Sequence, residues 1–367
     1  MNMTSKERML TALNRGKPDR LPVTIHQWQD YHLNHFMGGV SDIEANRICG
    51  LDASINFYRT LEDAPSPDWR VTVSAEPGTA DYAVTRTTIT TPEGELTCCH
   101  GANEMTTWVT EHLIKRPEDI RLLKYMPVPR FDREGARRKY DELGDGGILR
   151  TFVCGAQGGC WQDACELFGV ENLIYATVDD PDWVHEFMEL LLDWKLRYIE
   201  RNLPGLPFDL IETGGGAASN TVISPALHRE FCLPYDRRMH DALHALGYKV
   251  VYHTCGGMTK ILDLIVANGC DASETLSPAS VGGDIATDED GEYVRATLAP
   301  HVAMIGGMDQ FGILGRGDEH AIRAEVERLF MVFGAQGGYI MSASDHFFDA
   351  PVDKLRGFAR AAAECVY

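Results

Sequence analysis

The chain has 367 residues and a formal net charge of −20, with 44% hydrophobic and 24% charged residues. That balance is ordinary for a soluble globular protein large enough to bury a core without disulfide staples. The acidic excess repels phosphate backbones and argues against a nucleic-acid partner, although a local site can still take an anionic small molecule. The ten cysteines are scattered without disulfide-like spacing, which fits a reducing compartment. The first ten residues lack an apolar signal core, and no apolar run reaches membrane-spanning length. The expectation is a cytoplasmic protein with no membrane partner.

In chain order, residues 4–15 read as a helix with Thr4 or Ser5 at its cap and Gly16 after its end. A first strand follows over 21–26 and a second over 52–56. Between about 67 and 115 the pattern alternates in β fashion, with Pro92-Glu93-Gly94 as a turn, and predicts a β-hairpin insertion. From residue 148 strand-like runs alternate with helix-like ones. The strands are 148–153, 209–211, 249–252, 271–273, 302–305 and 339–341. Asp180-Pro181, Ser224-Pro225 and Thr259 open helices; Gly247 and Gly269 follow the second and third. Alternation of this kind means parallel strands covered by helices. Eight strands most simply close into a (β/α)8 TIM barrel, with a doubly wound sheet as the alternative. No linker divides the chain, so residues 1–367 read as a single domain carrying the insertion.

Catalytic groups of such barrels come from the C-terminal ends of the strands. Those ends carry His26 and Gln27, then Asn56, Cys154 and Gln157, Glu212, His253 and Cys255, Glu274, Asp309, and finally Asp345 and His346. The strongest pattern is His253-Thr254-Cys255. Residues i and i+2 at a strand end face the same way, and an imidazole and a thiolate are both good zinc ligands. Glu274 on the next strand is a third candidate ligand, with Asp345, His346 or a substrate as the fourth. The bland alternative is a metal-free polar pocket in which Cys255 is merely packed. Glu212, Asp345 and His346 are candidate catalytic residues. His26, Gln27, Asn56, Gln157 and Asp309 are candidates for binding substrate.

These residues also carry a resemblance. Thr4 to Met9, Gly16 to Val23, Ile223-Ser224-Pro225, Phe231 to Tyr235, His253 to Gly256, Gly306 to Asp309 and Ser342 to Pro351 resemble the uroporphyrinogen decarboxylase superfamily nearly end to end. The resemblance implies a (β/α)8 barrel. True decarboxylases in it grip their substrate's carboxylates with an Arg-rich segment after the first strand, whereas Val23 to Tyr31 here contains no Arg. The chain is more similar to the corrinoid-dependent methyltransferase branch. That likeness implies methyl transfer between a corrinoid, carried on a partner protein, and a small-molecule acceptor such as a thiol or tetrahydrofolate. The zinc-dependent members carry His-x-Cys after the fifth strand and a Cys after the eighth. His253 and Cys255 match the first; Ser344-Asp345-His346 stands in place of the second. A lyase acting on a carboxylated substrate is the alternative.

Overall fold

A computed structural model describes residues 2–61, 66–347 and 349–367. Eight parallel strands form its central sheet: β1 Val23–Thr24, β2 Ala53–Asn56, β3 Gly147–Phe152, β4 Leu210–Gly214, β5 Val250–His253, β6 Ala272–Thr275, β7 Ala303–Met308 and β8 Tyr339–Ala343. Their order is β1-β8-β7-β6-β5-β4-β3-β2. The sheet curls until its edges meet, and the Asp52 N–H donates to the Val23 carbonyl at 2.8 Å across the seam. This is the (β/α)8 barrel expected from the alternation, and the eight strands lie at the expected places with ends shifted by a few residues.

The helix Ser5–Leu13 plugs one end. Thr4 caps it, with Glu7 closing a capping box. Its Met9, Ala12 and Leu13 pack against Ile148, Leu210, Val251, Ala272, Ala303, Ile305 and Ile340. Along each strand the residue two places further on points inward again. The apolar floor therefore dictates the next layer up, which is where the polar side chains stand.

The outer helices follow their caps. Pro181–Asn202 is capped by Asp180 and buries Val184, Phe187, Leu191, Trp194 and Tyr198, the residues of its predicted apolar stripe. The segment after Ser224 is two helices, Pro225–Phe231 and Leu233–Ala245, and not one. Pro234 has no N–H to continue the first helix, and the chain breaks at Cys232. The β insertion extends beyond a hairpin to four antiparallel strands, Arg70–Glu76, Ala83–Thr91, Gly94–Ala102 and Thr107–Glu111. Pro92-Glu93 makes its central turn, and Ile89, Leu96 and Cys98 face the main core. No helix of the described residues is long and apolar enough to cross a membrane.

Candidate active site

Above the apolar floor, Arg150 from β3, Glu212 from β4, His253 from β5 and Glu274 from β6 meet inside the barrel, all buried. The Arg150 guanidinium donates to Glu274 Oε1 at 2.7 Å and to Glu212 Oε2 at 3.0 Å. His253 Nδ1 lies 3.3 Å from Glu274 Oε1 and 3.7 Å from Glu212 Oε1. His26, just past β1, brings its Nδ1 to 3.9 Å from Glu274 Oε2.

Burial and charge set opposed protonation states on these groups. Burial would raise the Glu274 carboxyl, but Arg150 and His253 hold it below the usual carboxylate range. Burial and the charge of Glu274 push Glu212 up. The layer therefore favours one carboxylate over two, as expected where two acids share a site. Burial lowers His26 to about 3, which keeps its imidazole neutral. Burial also opposes charge on His253, yet Cys255, Glu274 and Glu212 together raise it well above the ordinary value.

The rim adds Cys255, Asp345 and His346. Asp345 Oδ1 lies 3.1 Å from His346 Nδ1 and accepts from the His346 N–H at 2.7 Å. Burial opposes ionisation of Asp345, but the His346 hydrogen bond and the nearby histidines hold it low. The ring of His26 is 5.0 Å from that of His253 and 5.0 Å from that of His346. Among the described residues, three sets of potential ligand atoms each lie within 4.8 Å of one another: His26, Glu212, His253 and Glu274; His26, Asp345 and His346; and His253, Cys255 and Asp345. The trio named from the sequence, His253, Cys255 and Glu274, is not one of these sets: Glu274 groups with His253 in the first and Cys255 groups with His253 and Asp345 in the third. Glu274 approaches His253 Nδ1, while His253 Nε2 is buried without a hydrogen-bond partner. A Cβ on Gly216 would lie 2.5 Å from Cys255 Sγ, so a larger residue there would displace the thiol.

The other expected residues divide. Gln27 Oε1 reaches His346 Nε2 at 3.5 Å, and its amide nitrogen donates to the Tyr58 hydroxyl at 3.2 Å. Gln27 and Asn56 line one cavity of about 580 Å³ beside the cluster. Gln157 accepts from the Gly216 N–H at 3.4 Å and so touches the loop that flanks Cys255. Asp309 stands apart. Its Oδ1 caps the turn at Phe311 and Gly312, and its Oδ2 accepts from Ser280. Arg150 escaped the sequence reading, although a charged residue in the inward phase of Ile148-Leu149-Arg150-Thr151-Phe152 was a usable signal.

The model of the family described as "Uroporphyrinogen decarboxylase (URO-D)" matches residues 81–365. The chain belongs to the uroporphyrinogen decarboxylase family. Among curated proteins it is similar to the methylated-thiol–coenzyme M methyltransferase of Methanosarcina mazei, with 23% identity over 202 residues, 55% of this chain and 50% of that one. The chain thus matches about half the length of this relative. Among solved structures, a methyltransferase from Methanosarcina mazei superposes with a TM-score of 0.64 over 99% of both chains at 13% identity, a likeness of fold.

Proposed function

We propose that this protein is a methyltransferase that moves a methyl group between a corrinoid, held on a partner protein, and a small thiol acceptor, with zinc at His253, Cys255 and Asp345. The observation that carries this reading is that ligand atoms of His253, Cys255 and Asp345 lie within 4.8 Å of one another, while His253 Nε2 is buried without a hydrogen-bond partner. Nitrogen, sulfur and oxygen ligands from three side chains suit zinc with one position left open. Asp345 would supply the third ligand where the zinc-dependent relatives carry Cys. Zinc bound there would lower the pKa of the acceptor thiol and hold it as a thiolate.

The chain's own groups prepare the site. Glu274, itself held by Arg150, orients His253 through Nδ1 and leaves Nε2 for the ion. His26 remains neutral and adds no positive charge beside the ion. Burial and the neighbouring Glu274 carboxylate disfavour a second negative charge on Glu212. His346 holds Asp345 in its ionised form. The match to the methyltransferase relative supports the reaction class. Decarboxylation of a polyacid is less well supported, since 25–31 lacks Arg and Arg150 is already bound by two carboxylates. All ten cysteines are free, which supports a cytoplasmic setting.

Elemental analysis of untagged protein tests the reading. About one zinc per chain is expected in the wild type and a clear loss in Cys255→Ala. Absence of metal from both would overturn the zinc mechanism.

A further inference from the structure

The metal-ligating donors of the rim fall into two trios. Ligand atoms of His253, Cys255 and Asp345 lie within 4.8 Å of one another, and so do those of His26, Asp345 and His346. Among the described residues Cys255 joins no set with His26 or His346, and Asp345 is common to the two trios. A carboxylate has two oxygens and can serve two ions at the roughly 3.5–4 Å spacing of two-metal sites.

The outer trio has donors to spare. His26 is only 5% exposed, and among the described residues neither of its ring nitrogens makes a hydrogen bond. Buried polar groups are normally paired, so an imidazole held this way points to a ligand. Glu274 stands behind both inner histidines, with Oε1 3.3 Å from His253 Nδ1 and Oε2 3.9 Å from His26 Nδ1. A carboxylate behind an imidazole orients it as a metal ligand and raises its basicity. Asp345 turns Oδ1 to His346, while its Oδ2 has no hydrogen-bond partner among the described residues. His346 Nε2 has only Gln27 Oε1, at 3.5 Å. Two imidazoles and a carboxylate suit a divalent transition ion.

We propose that the rim holds two divalent ions bridged by Asp345, the first at His253 and Cys255 and a second at His26 and His346. The first ion belongs to the methyl-transfer reading above, and the proposal rests on that reading. The second site takes zinc, iron(II) or cobalt(II). It lacks a thiolate, so it is the weaker of the two and fills when the metal is supplied in excess. With three protein ligands it keeps a position open for water or for an oxygen of the acceptor.

Cobalt(II) tells the two ions apart, because a thiolate ligand gives a charge-transfer band that nitrogen and oxygen ligands do not. Metal-free protein is titrated with cobalt(II) chloride, and bound cobalt is counted by equilibrium dialysis. About two equivalents per chain are expected, with the charge-transfer band complete after the first. His26→Ala and His346→Ala should each bind about one equivalent and keep the band, which shows that the variants are folded. Asp345→Ala should weaken both equivalents. A single equivalent with the band in the wild type, or two equivalents retained in both histidine variants or in Asp345→Ala, overturns the bridged pair and leaves the methyl-transfer reading standing. A single equivalent without the band, or no bound cobalt, overturns the metal centre of that reading and the pair with it.

Discussion

Arg150 shows how one side chain can hold the centre of a barrel. It is fully buried and bonds two carboxylates that would otherwise repel each other. A buried charge network tolerates the loss of a member poorly, because the remaining charges are left without compensation. Arg150→Met should therefore cost about 3–5 kcal/mol in urea denaturation. A loss below about 1 kcal/mol would mean that Glu212 and Glu274 relieve each other by protonation and that Arg150 is not the keystone proposed here.

At the scale of the element, the loops above the strands are tied to one another. Asp284, after β6, accepts from the Met258 and Thr259 N–H groups, the Thr259 hydroxyl and the Asn220 amide. It thereby fastens the loops after β4 and β5, the second of which carries Cys255. Behind β3, Lys195 donates to Asp163 at 2.6 Å and to the Cys154 carbonyl at 2.5 Å, pinning the loop that carries Gln157. Asp284→Ala should lower stability by about 1–3 kcal/mol through the orphaned donors. The same variant should also bind zinc more weakly, since Cys255 loses its fixed position. Thermal unfolding of stripped protein and competition with a chromophoric chelator measure the two effects separately. Unchanged zinc affinity would limit Asp284 to a fold-stabilising role.

Over the whole molecule, the outer helices are joined to the barrel by a few buried polar contacts as well as by apolar packing. His240, on Leu233–Ala245, has its Nε2 2.8 Å from the Thr213 hydroxyl of β4 and its Nδ1 2.9 Å from the Asn268 carbonyl before β6. Burial pushes His240 down from 6.5 to about 4. The folded state therefore holds it neutral while the unfolded chain takes a proton below 6.5. Its contribution is fully present above pH 6.5 and is lost as pH falls through about 4. The stability of the wild type relative to His240→Gln should fall across that window by at most about 3 kcal/mol. Urea denaturation of both proteins at several pH values measures it, and a constant difference would show that His240 does not titrate on unfolding.

The eight strand positions, the helix caps at Thr4, Asp180 and Ser224 and the polar strand ends were legible in the sequence, because each rests on local periodicity and cap chemistry; the helix expected to open at Thr259 instead begins at Leu262 without a side-chain cap. His253-Thr254-Cys255 was legible for the same reason, since two residues apart on one strand end is a local relation. Tertiary structure alone decided which candidates meet. Asp345 is 90 residues from Cys255, and only the closure of the sheet brings β8 around to β5 so that Asp345 joins His253 and Cys255. Glu274 lies on the Nδ1 side of His253 for a reason no spacing could show: β5 and β6 are in register at His253 and Glu274, and Arg150 draws the carboxylate inward. Asp309 shares the strand-end position of the others, yet its carboxylate caps the turn that follows, a choice made by backbone N–H groups of the folded chain. Local rules fix where polar groups emerge from a barrel; the three-dimensional closure fixes which of them face a common point.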